Sequence, residues 1–197
     1  HLCRISCLES LMIIRNAQAE GIRVTADVAI HQLFFDENSI NNFNSDFHVM
    51  PPFRANEDMV ALQKSISENT LTAICSDHQP HNKDAKQAPF YNTQPGNSSI
   101  ELLLPLLMEL VNLNFLDLNT AISKVTINPA KILGIEAGII QKDSQADLCI
   151  LKKEEWQLEG DKIISSGKNN PYIGKKFNMV VAKTIFKGQI VYENNFT

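Results

Sequence analysis

Ser76-Asp77-His78-Gln79-Pro80-His81 places a carboxylate and two imidazoles directly after an apolar run, Leu71-Thr72-Ala73-Ile74-Cys75. The run reads as a buried strand. Titratable groups at the end of a buried strand are costly to keep unless they bind something. In a β/α barrel the C-terminal ends of the strands carry the catalytic groups. The hexapeptide therefore points to metal-dependent hydrolysis. The plainer readings are an Asp77 that caps its loop or pairs with Arg4, a His78 bonded to backbone, and a solvated His81. His31, after a second apolar run, is as readily a packed or capping residue as a functional one. His48 lies in an Asn-rich stretch and reads as surface.

The elements that would position these residues follow from periodicity. Residues 1–5 read as a short strand. Residues 8–20 have helical apolar spacing, and Gly21 follows in the usual position past a helix end. Residues 22–29 are β-branched and apolar, so the order is β-α-β, which favours a parallel pair with a right-handed crossover. A long polar loop covers 31–50 and ends at Pro51-Pro52. A helix is expected near 57–68 with Asn56 as its N-cap. A second polar loop spans 77–97 and carries Lys83, Lys86 and Phe90. Ser98-Ser99-Ile100-Glu101 matches a capping box. Pro105 argues for a kink or a later helix start. Helices are expected over 117–125 and 129–133, the second ended by Gly134. Strands are expected at 147–151, 179–186 and 189–192, with Lys187-Gly188 as a tight hairpin turn.

Composition narrows the class. The chain has 197 residues, 44% hydrophobic and 20% charged, with a net charge of −4. These are the values of a globular protein with a sizeable core. No basic face is implied, so nucleic acid is not an expected partner. No apolar run approaches the roughly 18 residues of a membrane span, so no membrane partner is expected either. The four cysteines, at 3, 7, 75 and 149, fit neither a disulfide framework nor a zinc knuckle. Cys75 and Cys149 read as small buried hydrophobes, and a reducing cytoplasm is the expected location. Lys152-Lys153-Glu154-Glu155 reads as a solvated stretch and Trp156 as packing.

The motifs, taken in order, resemble those of dihydroorotases, in the amidohydrolase superfamily. Cys75 to His81 is similar to the family's last metal-strand motif. His1-Leu2-Cys3-Arg4-Ile5-Ser6 resembles its H-x-C-H-x-S strand, and Val24 to Leu33 its V-T-x-E-V-x-P-H-H-L strand. Pro51-Pro52-Phe53-Arg54 resembles its P-P-L-R loop. Asn128-Pro129-Ala130-Lys131-Ile132-Leu133-Gly134 resembles its N-P-A-x-x-x-G helix. Gly138 to Leu148 with Lys187-Gly188 is similar to its returning β-subdomain.

The resemblance implies an α/β fold: the C-terminal three β/α units of a TIM-like barrel over 1–137, and a small β region over 138–197 completed by the missing N-terminus. Three units alone would leave open sheet edges, so the N-terminal half of the barrel is an expected partner, as is a homo-oligomer. The implied cofactor is zinc, which polarises an amide carbonyl and generates hydroxide near neutral pH. The implied reaction is the interconversion of dihydroorotate and carbamoyl aspartate in pyrimidine synthesis. Asp77 would be the metal ligand and catalytic proton carrier, and His81 the substrate contact.

Three positions depart from the family pattern. Arg4 stands where the second His of H-x-C-H binds metal, and a guanidinium offers no lone pair. Met50 stands where an Asn touches substrate, and Gln32 replaces the second His of H-H-L. Arg4 would end a strand beside Asp77, and an ion pair between them could replace the charge of a metal. Two functions are therefore expected: a cyclic amide hydrolase, or a non-catalytic homologue acting as a scaffold for aspartate carbamoyltransferase.

Overall fold

The computed structural model describes residues 1–194. The first part of the chain forms helix α1 (Leu8–Ala19), strand β1 (Asp27–Ala29), helix α2 (Asn56–Ser67) and strand β2 (Ala73–Cys75). Three helices follow: α3 (Leu103–Asn112), α4 (Leu118–Val125) and α5 (Ile127–Leu133). The chain then turns to three longer strands, β3 (Leu148–Gln157), β4 (Lys176–Phe186) and β5 (Gln189–Glu193). The fold is mixed α/β, and no closed barrel forms among the described residues.

β1 and β2 are parallel, with Val28 opposite Ile74 and Ala29 opposite Cys75. Leu2 joins the other side of β1 through a parallel bridge to Ala26. Its N–H donates to the Thr25 carbonyl (2.9 Å), and its carbonyl accepts from Asp27 (3.0 Å). The expected strand at 1–5 is thus reduced to one bridge, and that at 22–29 to its last three residues. All three β1 residues are buried, including Asp27, whose carboxylate is satisfied by the Arg4 N–H and His1 rather than by water. Gly21 ends α1 at φ 79, with its N–H on the Gln18 carbonyl, as expected for a left-handed helix terminus.

Several local expectations are corrected. Asn56 is the first residue of α2 rather than its cap. Ser98 to Glu101 makes no capping box. The Ser99 hydroxyl donates to the Ser76 carbonyl (2.6 Å), and Glu101 accepts from the backbone of Ile164 (2.9 Å) and Ser165 (2.7 Å). Tertiary partners outbid the local cap because they satisfy backbone donors of a distant loop. A short 3₁₀ turn over Ile100–Leu102 leads into α3. The later start puts Pro105 in the first turn, where no intrahelical N–H bond is lost. α5 begins at Ile127, earlier than expected, because Pro129 likewise fits its first turn. The polar loop 31–50 is largely wound into short 3₁₀ turns.

The antiparallel sheet has the order β3-β4-β5. Lys187 and Gly188 turn the β4–β5 hairpin with φ 50 and 79, the left-handed pair a two-residue hairpin requires. Cys149 is exposed on β3, not buried. Trp156 stacks on Phe177 at 5.2 Å and donates to the Met179 carbonyl (2.7 Å), which is a packing role. The core is continuous: Leu158, Ile163, Tyr172 and Phe177 join Leu11, Val28, Ile74 and Leu106 in one cluster.

Candidate active site

Three segments end at the same place. Arg4 follows the Leu2 bridge, His31 lies just after β1, and Asp77 lies just after β2. Arg4 and Asp77 both have left-handed backbone, φ 57 and 48, a conformation that costs non-glycine residues of order 1 kcal/mol or more each. Interactions made by both side chains and backbone hold them there. The Arg4 N–H donates to Asp27 Oδ1 (2.8 Å). Its guanidinium Nη1 donates to Asp77 Oδ1 (3.3 Å) and to the Met50 carbonyl (3.1 Å). Gln79 Nε2 donates to the same Asp77 oxygen (2.9 Å). The ion pair between Arg4 and Asp77 is therefore formed.

His31 completes the group. It is fully buried, lies edge-on to Phe53, and has Nε2 3.9 Å from Asp77 Oδ2 with no hydrogen-bond partner. Its Nδ1 faces Asn97 Nδ2 at 3.5 Å. Burial lowers its pKa to about 4, Asp77 opposing the shift and Arg4 adding to it. The ring is neutral at neutral pH. Gln32, beside it, is also buried and spends its amide on the Pro51 carbonyl (2.9 Å).

The other histidines are held elsewhere. His78 Nδ1 accepts from the backbone N–H of Ser99 (3.1 Å) and Ile100 (3.2 Å), the structural role expected of it. His81 Nε2 donates to the Pro95 carbonyl (2.9 Å), and its backbone N–H donates to Asn169 Oδ1 (2.7 Å). These partners lie in the mouth loop and its support, outside the Arg4–His31–Asp77 group. His48 is not a plain surface residue. It is half-buried, bonded to Thr93 Oγ1 (2.7 Å) and tilted against Phe90. Lys86 ties its loop to the 31–50 segment through the carbonyls of Ser45 (3.0 Å) and Gln94 (2.7 Å).

Sequence reasoning missed Asn169. This buried residue comes from the segment between β3 and β4, yet it holds the mouth loop at several points. Its amide donates to the carbonyls of Gly96 (2.9 Å) and Gln79 (3.2 Å) while its side-chain oxygen receives the His81 N–H. A Cβ at Gly167 would overlap the His81 backbone, so the close approach requires glycine there. No local motif announces such a contact, because its partners are some 90 residues away in the chain. Asp27 was also missed. Its Oδ1 takes the Arg4 N–H and the Cys75 thiol (3.3 Å), while its Oδ2 meets His1 Nε2 (2.9 Å). The Cys75 thiol pKa is raised by burial and by Asp27, so it stays protonated.

Zinc does not fit at Asp77. One of its oxygens already accepts a guanidinium and an amide. A fixed positive charge there opposes a divalent ion.

Residues 5–191 match the amidohydrolase family. A dihydroorotase from Geotalea daltonii is 34% identical over 196 residues, covering 99% of this chain and 46% of the relative. A dihydroorotase-like protein from Pseudomonas aeruginosa is 37% identical over 193 residues, with 98% and 46% covered. The chain thus spans about half the length of the curated relatives it matches. The L-hydantoinase of Arthrobacter aurescens superposes with a TM-score of 0.91 at 24% identity, over 99% of this chain and 45% of that one, a likeness of fold. With the family match covering most of its length, the chain belongs to the amidohydrolase family.

Proposed function

We propose that residues 1–137 are the last three β/α units of a dihydroorotase-like barrel and that residues 138–197, of which 195–197 lie outside the described residues, belong to a small β subdomain. The lineage is that of cyclic amide hydrolases, and the reaction of that lineage nearest to this chain is the interconversion of dihydroorotate and carbamoyl aspartate. The observation that carries the finer reading is the Arg4–Asp77 contact at 3.3 Å. It neutralises the carboxylate by an internal cation. The reading is therefore a dihydroorotase homologue with an ion pair in place of a metal at its mouth; the proposed non-catalytic role as a scaffold for aspartate carbamoyltransferase rests on the family resemblance alone.

A second reading, an active cyclic amide hydrolase, is favoured by one observation: neutral His31 still faces Asp77 in a buried setting. In that reading Asp77 takes the proton of the attacking water and returns it to the amide nitrogen, and His81 holds the substrate.

The complete protein decides between them. It is expected to turn over neither dihydroorotate nor carbamoyl aspartate, to keep its metal content unchanged in Asp77→Asn, and to co-elute with aspartate carbamoyltransferase. Steady turnover, with zinc that Asp77→Asn releases, overturns the scaffold reading.

A further inference from the structure

His1, Cys3 and Asp27 bring an imidazole, a thiol and a carboxylate together, their donor atoms all within 4.8 Å of one another. Among the described residues this is the one such group of metal-ligating side chains. Each member precedes Arg4 or His31 on its own strand segment, and Asp27 Oδ1 also accepts the Arg4 N–H (2.8 Å). We propose that these three residues form a divalent transition-metal site of the zinc class, separate from the Arg4–Asp77 pair.

The donors are already aimed. His1 Nδ1 is bonded to Thr25 Oγ1 (2.8 Å), which turns Nε2 toward Asp27 Oδ2 at 2.9 Å. Asp27 Oδ1 is fully engaged by the Arg4 N–H (2.8 Å) and the Cys75 thiol (3.3 Å), which leaves Oδ2 for the cluster. Outer hydrogen bonds of this kind fix ring and carboxylate orientation at metal sites. With zinc-like bond lengths, tetrahedral N and O ligands stand about 3.4 Å apart, so the His1–Asp27 pair opens by a few tenths of an ångström around an ion. Cys3 is free and exposed, and its sulfur already lies within 4.8 Å of the other two donors. Thiolate and carboxylate together match a divalent charge, and the mixed N, S and O set suits zinc or cobalt rather than magnesium or calcium. The Arg4 guanidinium does not oppose this, because it points to the Met50 carbonyl and Asp77. Three protein ligands leave a fourth position for water or another group.

The inference does not rest on the scaffold reading, which concerns Asp77. The complete protein is stripped with chelator and titrated with cobalt(II) alone, and thiolate-to-cobalt charge-transfer absorption is followed. One thiolate-bound cobalt per chain, read from the intensity of that band, is expected whether or not the mouth takes an ion of its own. Cys3→Ser should abolish the band and weaken binding at that site at least about tenfold, Asp27→Asn should weaken it similarly, and Asp77→Asn should leave the band unchanged. Circular dichroism checks that each variant folds. If folded wild-type protein gives no band, or if the band survives Cys3→Ser, the site is overturned and His1–Asp27 is a simple ion pair.

Discussion

The two sheets of this chain solve burial differently. β1 and β2 are short, parallel and buried, and every one of their C-terminal ends leads into a polar group of the mouth. β3 to β5 are longer and antiparallel, and they expose large apolar side chains, among them Ile150, Phe186, Ile190 and Val191. In the parallel pair the side chains carry the stability and the strand ends carry the chemistry. In the antiparallel sheet the backbone ladder carries more of the order, and the connection back to the mouth runs through Asn169 and Glu101 rather than through the strands themselves. The difference shows how a region without catalytic groups of its own still sets the shape of a site.

The comparison can be broken with a matched pair of substitutions and one titration. Ile74 in β2 is 4% exposed. Ile74→Ala in the complete protein should cost about 2–5 kcal/mol in chemical denaturation, the range for a large-to-small change in a packed core. The next effect is one of pH. His31 has a folded pKa of about 4, below its unfolded value of 6.5. Between these values the unfolded chain binds the extra proton, so stability is full above about pH 6.5 and falls as pH drops toward 4. The loss should be on the order of 1–3 kcal/mol, and His31→Gln should flatten it. An equal slope in wild type and variant would mean that His31 is not held neutral by burial. The smallest effect is expected at Ile190 in β5, which is 56% exposed. Ile190→Ala should stay within about 0.5 kcal/mol of wild type. A cost equal to that of Ile74→Ala would show that another segment of the complete protein covers β5, and the contrast between the sheets would fail.

Much of the fold was legible because its signals are local. The left-handed Gly21 end of α1, the Lys187-Gly188 hairpin and the displaced start of α3 around Pro105 each follow from the geometry a single residue permits. The family was legible because its motifs keep their order along the chain. The Ser98–Glu101 cap was misread because the same residues also fit distant backbone donors, and that competition is invisible in a local pattern. Cys149 was misread because an apolar run does not say whether anything will lie against it.

By itself the sequence determined which residue types stand at the strand ends, Arg4 and Asp77 among them, because strand position and side-chain chemistry are written in one dimension. Only the tertiary structure decided what those residues face. It put a buried neutral imidazole beside Asp77, it brought Asn169 under the mouth loop, and it gathered His1, Cys3 and Asp27 across neighbouring strand segments. The reason is physical. Parallel pairing sets residues more than 20 positions apart side by side, and the charge, burial and donor geometry that govern a site exist only after that pairing is made.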